Sequence, residues 1–266
     1  MSSDVRPRYL AGIVRHPLPA VALLQPGRWA FPAAVAFAIG LAVSSVAYAL
    51  FRIPTWAITV IVLLALLPVG VLKWREDRRR YGTVVMLLSV ILITQGLHTV
   101  EHIVQWVQYY ILMMPARQST GLVSAANSEW VHFVWNWWVL LVVAVLVRGG
   151  MRGWLAMLLL AVTVLHAVEH TYLFVRHYMV LNELRALNIT TLTAQGLPGI
   201  IGQDGWLARS PVTQGTFLCT LPGLTTAPRL DVHFWWNLIE MLLLLGAGHV
   251  FLRRLPQRAA VPVTRV

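Results

Sequence analysis

Residues 97–102 read LHTVEH and residues 165–170 read LHAVEH, so these segments agree at five of six positions at a spacing of 68 residues. A second pair behaves in the same way: residues 131–136 read VHFVWN, and residues 232–237 read VHFWWN, at a spacing of 101. The matches predict that a helical hairpin occurs twice, as two repeats related by an axis along the membrane normal. The spacings differ by 33 residues, which predicts an insertion in the loop of the second hairpin.

The composition around these segments predicts a membrane protein. Of the 266 residues, 58% are hydrophobic and only 12% are charged, and the mean hydropathy is +0.69. This composition is too apolar for a water-soluble globular domain. Apolar stretches of about 20 residues match a hydrocarbon layer of roughly 30 Å, which such stretches cross as helices. We therefore expect an all-α integral membrane protein with six transmembrane helices, at about 29–51, 54–73, 82–114, 128–148, 151–179 and 230–252.

Spans 3–4 and 5–6 are expected to form the four-helix core. Residues 81–150 then hold the first histidine-bearing hairpin, and residues 151–252 hold the second, with a long outer loop at 180–229. Residues 29–80 supply two flanking transmembrane helices, and tails at 1–28 and 253–266 complete the chain.

The basic residues predict the orientation. Of the 21 Lys and Arg residues, 15 fall on the side of the two termini in this scheme and six on the other side. By the positive-inside rule, both termini are expected to be cytoplasmic in a multi-pass protein of the plasma (inner) membrane. The basic residues lie between apolar spans and do not form a basic and aromatic patch, so no nucleic-acid partner is expected.

The repeated segments concentrate residues that bind metals. On a helix, a histidine and a second histidine four residues later share one face, and the glutamate between them points to the same side. The returning helix of each hairpin carries one more histidine about one turn from its start, so the side chains are expected to meet in one layer towards the outer side. The expected metal-binding residues are His98, Glu101, His102, His132, His166, Glu169, His170 and His233.

Six imidazoles exceed what one four-coordinate zinc requires. The sequence therefore predicts two transition-metal ions, with Fe or Cu favoured and Zn possible, because imidazole suits all three. Haem is less expected, since His98 and His102 are one turn apart. Glu101 and Glu169 are the candidate catalytic residues, and each costs about 2.5 kcal/mol or more within a membrane unless a cation or a proton compensates its charge. The residues expected to support the ligands are Asn136, Asn237, Gln105 and Glu240.

Three functions are compatible with this set of residues. The first is an oxidoreductase of oxygenase, hydroxylase or desaturase type that acts on a lipid or another apolar molecule, with a partner membrane subunit or electron donor. The second is transport of metal ions or protons, or metal handling. The third is a zinc-dependent membrane hydrolase in which a glutamate acts as general base. The ligand count favours the oxidoreductase.

Overall fold

The computed structural model describes residues 16–124, 128–192, 194 and 196–259, and this part of the chain is helical, without a β-strand. The first 15 residues of the expected N-terminal tail and the last seven of the C-terminal tail lie outside the described residues. Short helical segments occur at Pro19–Leu24, Gly27–Trp29, Trp206–Arg209 and Phe217–Thr220. The long helices, which we name α1 to α6, are Ala30–Phe51, Thr55–Tyr81, Thr83–Tyr110, Glu129–Arg148, Trp154–Ala186 and Arg229–Ala259.

Five helices in the described residues are long and apolar enough to cross a membrane. They are α2, α3, α4, α5 and α1, and the span of α1 includes the short segment Pro19–Leu24 before it. The all-α fold is therefore confirmed for the described residues, and the five helices support a membrane protein. Helix α6 has 31 residues but is not among the five, so the sixth span stays a prediction.

Several helix ends differ from the expected span ends. Helix α2 continues through its basic residues to Tyr81 and stops at Gly82, whose φ is +87°. Helix α3 ends at Tyr110, four residues earlier than expected, and Met113 then adopts a positive φ. Helix α5 extends to Ala186, so residues 180–186 of the expected outer loop are helical. Arg, Glu, Leu and Ala in these seven positions favour helix beyond the apolar span.

The main helix contacts of the four-helix core join one hairpin to the other. Helix α3 packs closely against α6, and α4 packs closely against α5. The first helix of each hairpin therefore has its larger contact with the second helix of the other hairpin. Helix α2 packs against α3, and α1 packs against α2, where Gly40 allows a close approach because a Cβ there would lie 3.0 Å from the Val62 Cα.

The bundle has a loop end and a terminal end. We define the loop end as the end at which α3 and α5 finish and α4 and α6 begin. A core of buried apolar residues fills the terminal half of the bundle between α3, α4, α5 and α6. It includes Leu88, Ile91, Leu146, Leu159 and Leu252, each at most 1% exposed.

One ion pair is buried between α2 and α3 near the terminal end. The Lys73 Nζ donates to the Asp77 Oδ2 at 2.6 Å and to the Ser89 Oγ at 3.0 Å, and the Ser89 hydroxyl donates to the same Asp77 oxygen at 2.7 Å. Removing one partner of a buried pair leaves an uncompensated charge. These three hydrogen bonds, which we call the Lys73–Asp77–Ser89 triangle, therefore connect the flanking helix α2 to helix α3 of the core.

We predict that Asp77→Ala lowers the free energy of unfolding by about 3 kcal/mol, because it leaves the Lys73 ammonium buried without its carboxylate. Thermal unfolding of the purified protein, followed by tryptophan fluorescence, measures the loss. The control is Asp204→Asn, which removes an exposed ion pair with Arg209 and should cost at most about 1 kcal/mol. Equal stability of the two variants would show that the Lys73–Asp77–Ser89 triangle does not stabilise the fold.

Candidate metal centre

Six histidines meet in one cluster at the loop end of the core. Helix α3 supplies His98 and His102, α4 supplies His132, α5 supplies His166 and His170, and α6 supplies His233. Neighbouring imidazole rings have centroids between 4.7 and 6.0 Å apart, in one connected set of contacts. All six rings that the sequence predicted to converge are therefore in mutual contact.

Three of these histidines offer nitrogens close enough to share one ion. Nitrogens of His98, His102 and His132 all lie within 4.8 Å of one another. The closest pair is the two Nε2 atoms of His98 and His102, at 3.3 Å. A metal with bonds of about 2.0–2.1 Å to imidazole nitrogens fits between ligands at such separations after small side-chain movements.

The other three histidines form a second group beside the first. The His166 and His170 ring centroids are 4.9 Å apart, and those of His170 and His233 are 5.1 Å apart. The two groups touch where the His132 and His170 rings stack, at 5.1 Å and an interplanar angle of 10°. The six rings thus form one connected cluster, in which, among the described residues, only His98, His102 and His132 bring three nitrogens within reach of one ion.

The Nδ1 atoms of three rings face oxygen atoms. His132 Nδ1 lies 3.2 Å from the Ser128 carbonyl oxygen, and His233 Nδ1 lies 2.8 Å from the Arg229 carbonyl oxygen. Since a carbonyl only accepts hydrogen bonds, each of these rings carries its proton on Nδ1 when neutral. The Nε2 lone pairs are then free to bind a cation.

The His102 ring is held by a chain of polar side chains. Its Nδ1 lies 3.1 Å from the Gln105 Oε1, and the Gln105 Nε2 donates to the Glu101 Oε1 at 3.5 Å. The predicted supporting residue Gln105 therefore orients His102, so that its Nε2 faces the His98 Nε2. This use of a second residue to set the tautomer is typical of histidines that bind metals.

The remaining buried ring nitrogens lack hydrogen bonds. Within the described residues, neither nitrogen of His170 and neither nitrogen of His166 has a hydrogen-bond partner. The His166 Nδ1 does lie 3.2 Å from the Glu240 Oε1, at ion-pair distance but outside hydrogen-bond geometry. A buried polar group without a partner costs about 1–3 kcal/mol, and a metal bound at Nε2 would remove that cost.

The two predicted catalytic glutamates hold the loops at the end of the bundle. The Glu101 carboxylate accepts hydrogen bonds from the backbone N–H groups of Leu122 at 2.7 Å and Val123 at 3.1 Å. The Glu169 carboxylate accepts from Ile200 at 3.0 Å and Ile201 at 3.4 Å. These bonds offset the cost of burying each carboxylate. Ligand and catalytic roles for the two residues stay predictions.

Glycine precedes both pairs of N–H donors. A Cβ on Gly121 would collide with the Glu101 carboxylate, and a Cβ on Gly199 would collide with that of Glu169. Only glycine allows the loop backbone to come this close. Residues 121–123 read GLV and residues 199–201 read GII. These loop contacts were not predicted from the sequence. The signal that could have found them is a glycine followed by two aliphatic residues after each helix that carries a glutamate.

The long loop after α5 is folded onto the bundle. The Arg229 guanidinium donates to the Leu197 carbonyl and to the Glu129 carboxylate at the start of α4. Two backbone bonds, from Gly202 to Leu224 and from Gln203 to Ala227, close the loop on itself. Because the Arg229 carbonyl also contacts His233, the loop is attached directly to the histidine cluster. From the sequence, Arg229 entered only the count of basic residues, and its contact with Glu129 was not predicted.

The predicted supporting amides lie directly below the rings. Asn136 donates to the His132 carbonyl and Asn237 donates to the His233 carbonyl, both at 2.9 Å. A residue not predicted, Gln95, links this layer: its Nε2 donates at 3.1 Å to both Asn237 and Glu240. Gln95 occupies the face of α3 that also carries His98 and His102, so its helical spacing was the signal that could have found it.

No protein-family model, no curated protein and no solved structure matches this chain. The function is therefore argued from the site itself.

We predict that Glu169→Ala loosens the loop of residues 187–228, because the N–H groups of Ile200 and Ile201 lose their acceptor. Loss of two hydrogen bonds to a charged group lowers the free energy of local opening by about 3 kcal/mol, which is roughly a hundredfold in cleavage rate when cleavage follows opening. The measurement is trypsin cleavage after Arg209, whose side chain is 65% exposed.

The control for this prediction is Glu183→Ala, which removes an exposed carboxylate from the same helix. It should leave the cleavage rate unchanged. If the Glu169 variant is cut no faster than the control, the carboxylate does not hold the loop.

Proposed function

We propose that this protein is an integral-membrane metalloprotein in which the six histidines bind two transition-metal ions, Fe or Cu. We further propose that it is an oxidoreductase of oxygenase, hydroxylase or desaturase type that acts on a lipid or another apolar molecule. The observation that carries the proposal is the orientation of the rings. His102, His132 and His233 each turn Nδ1 towards an oxygen, so that Nε2 is the nitrogen of each of these three rings that would bind metal.

Matching contacts in the two halves support the proposal that the two hairpins are repeats. Glu101 and Glu169 both bind backbone N–H groups that follow a glycine. His98 faces Trp135 with centroids 5.3 Å apart, and the corresponding His166 faces Trp236 at 5.1 Å. A repeat of this kind would place two three-histidine sites around one axis, as carboxylate and histidine bundles do for paired metals.

The surroundings of the cluster favour redox chemistry over the two other functions. Glu101 and Glu169 accept backbone hydrogen bonds, and a carboxylate engaged in this way is less available as the base of a zinc hydrolase. Within the described part of the chain, buried leucines and isoleucines lie between the cluster and the terminal end. That apolar layer opposes a path for ions through the bundle.

The proposed reaction needs both an oxidant and a reductant. Hydroxylation of a C–H bond consumes one dioxygen, two protons and two electrons, inserts one oxygen atom into the substrate and releases the other as water. We propose that a partner subunit or soluble donor supplies the electrons. When bound, the metals would supply the one-electron chemistry, while the chain holds the imidazoles, buries the site and excludes bulk water.

We propose that six helices span the plasma (inner) membrane with both termini in the cytoplasm and the metal centre towards the outer side. The excess of Lys and Arg on the side of the termini supports this orientation. Helix α6 would be the sixth span, and its position against α3 and α5 supports placing it within the same bundle.

We predict that His98→Ala removes stoichiometric metal, because it deletes one ligand of the closest three-nitrogen group. The purified protein should carry about two Fe or Cu ions per chain, and the variant should carry one or fewer; inductively coupled plasma mass spectrometry measures both. The control is His177→Ala, whose ring instead contacts the Ala194 carbonyl. Full metal content in the His98 variant would contradict the site, and one Zn per chain would favour the hydrolase.

We predict that Glu240→Gln weakens metal binding by about 10- to 100-fold, the usual cost of altering the residue that orients a metal-bound histidine. The variant keeps the side-chain volume and removes the charge beside His166. Metal titration of the chelator-treated protein measures the affinity, with the exposed Glu183→Gln as the control. An unchanged affinity would show that Glu240 does not support a ligand.

A further inference from the structure

The two halves of the histidine cluster differ in exposure. Five of the six imidazoles are buried, whereas His98 is partly exposed. His166, which matches His98 in the repeated segments, is 0% exposed. Two rings at equivalent places in the sequence therefore have different surroundings.

The closed half contains a carboxylate that the open half lacks. Glu240 is 1% exposed and lies 3.2 Å from the His166 ring, while the matching position on α4 is Val139. The Trp236 ring stacks on His166 at an interplanar angle of 8°. Trp236 therefore covers a face of the His166 ring, and Glu240 lies beside its Nδ1. The Trp135 ring is instead tilted by 38° to His98, which stays partly exposed.

The helices beside His98 also pack less closely. Among the adjoining helix pairs of the four-helix core, α3 and α4 have the smallest contact. Exposed apolar side chains occur on both helices: Leu97 is 50% exposed, Val100 45% and Trp138 38%. His98 lies near the middle of the 28-residue helix α3, a depth at which an exposed helix surface faces hydrocarbon in a membrane.

We propose that a hydrocarbon chain from the bilayer reaches the imidazole cluster at His98, the one ring of the six that is partly exposed. His166 is closed to such a chain by Glu240 and Trp236. This proposal rests on the proposed membrane function and specifies its substrate class: the reacting part of the substrate is an acyl chain or another hydrocarbon, delivered sideways from the lipid phase. A hydrocarbon chain fits because a bilayer offers no water to accompany a polar group.

Because a hydrocarbon chain can reach only His98, the two halves of the cluster have different roles. The group of His98, His102 and His132 adjoins the substrate, whereas the group of His166, His170 and His233 is shielded from it. The shielded half keeps its supporting carboxylate, Glu240. Of the six imidazoles, only that of His98 is therefore open to lipid.

Photolabelling in a lipid bilayer tests the access route. The full chain is placed in nanodiscs that contain a phosphatidylcholine with a diazirine at mid-depth on one acyl chain, and labelled residues are identified by tandem mass spectrometry after irradiation. The protein is first stripped of metal with a chelator. The proposal depends on side-chain exposure alone, so a failure of the metal centre would not change the result.

Leu97 and Leu165 precede the two histidines and are 50% and 58% exposed, so they serve as matched internal controls. We expect label on both leucines and on His98, and none above background on His166. Equal labelling of His98 and His166 would overturn the proposal, as would labelled Leu97 beside unlabelled His98. Absence of label from both leucines would overturn it as well, because these helix faces would then not meet lipid.

Discussion

The arrangement depends on the need to compensate polar groups that are buried among apolar helices. Carboxylates and imidazoles in a membrane interior are unstable unless they meet hydrogen-bond donors, acceptors or cations. Glu101 and Glu169 meet backbone N–H groups of the loops. This requirement determines where the loops lie, since each loop must bring two consecutive N–H groups to a carboxylate that lies within a helix.

The same requirement orders the histidines. His132 and His233 use the carbonyl one turn earlier in their own helices, whereas His102 uses an amide side chain. Each solution turns the ring so that its second nitrogen points into the cluster. The cluster thus concentrates imidazole lone pairs in a region from which water is largely excluded, and such a concentration is best compensated by cations. The proposed metal site thus draws support from local hydrogen bonding as well as from the number of histidines.

The two halves are alike where they support the loops and unlike where a substrate would bind. Both halves keep the glycine beside the glutamate and the tryptophan beside the first histidine. They differ at Val139 and Glu240, and in how closely their helices pack. In the proposed repeat, one half buries its first histidine beside a carboxylate, whereas the other leaves its first histidine partly exposed.

The sequence by itself determined the helical class, five of the six expected apolar helices and the histidines that meet, because hydrophobic length and helical periodicity are local properties. It also identified Gln105 and the two asparagines as neighbours of these histidines. Tertiary structure decided what the glutamates contact, how Arg229 and Gln95 join distant helices, and which half of the cluster is open. Those outcomes depend on pairs of residues up to 145 positions apart, and no local pattern encodes how two such residues approach each other.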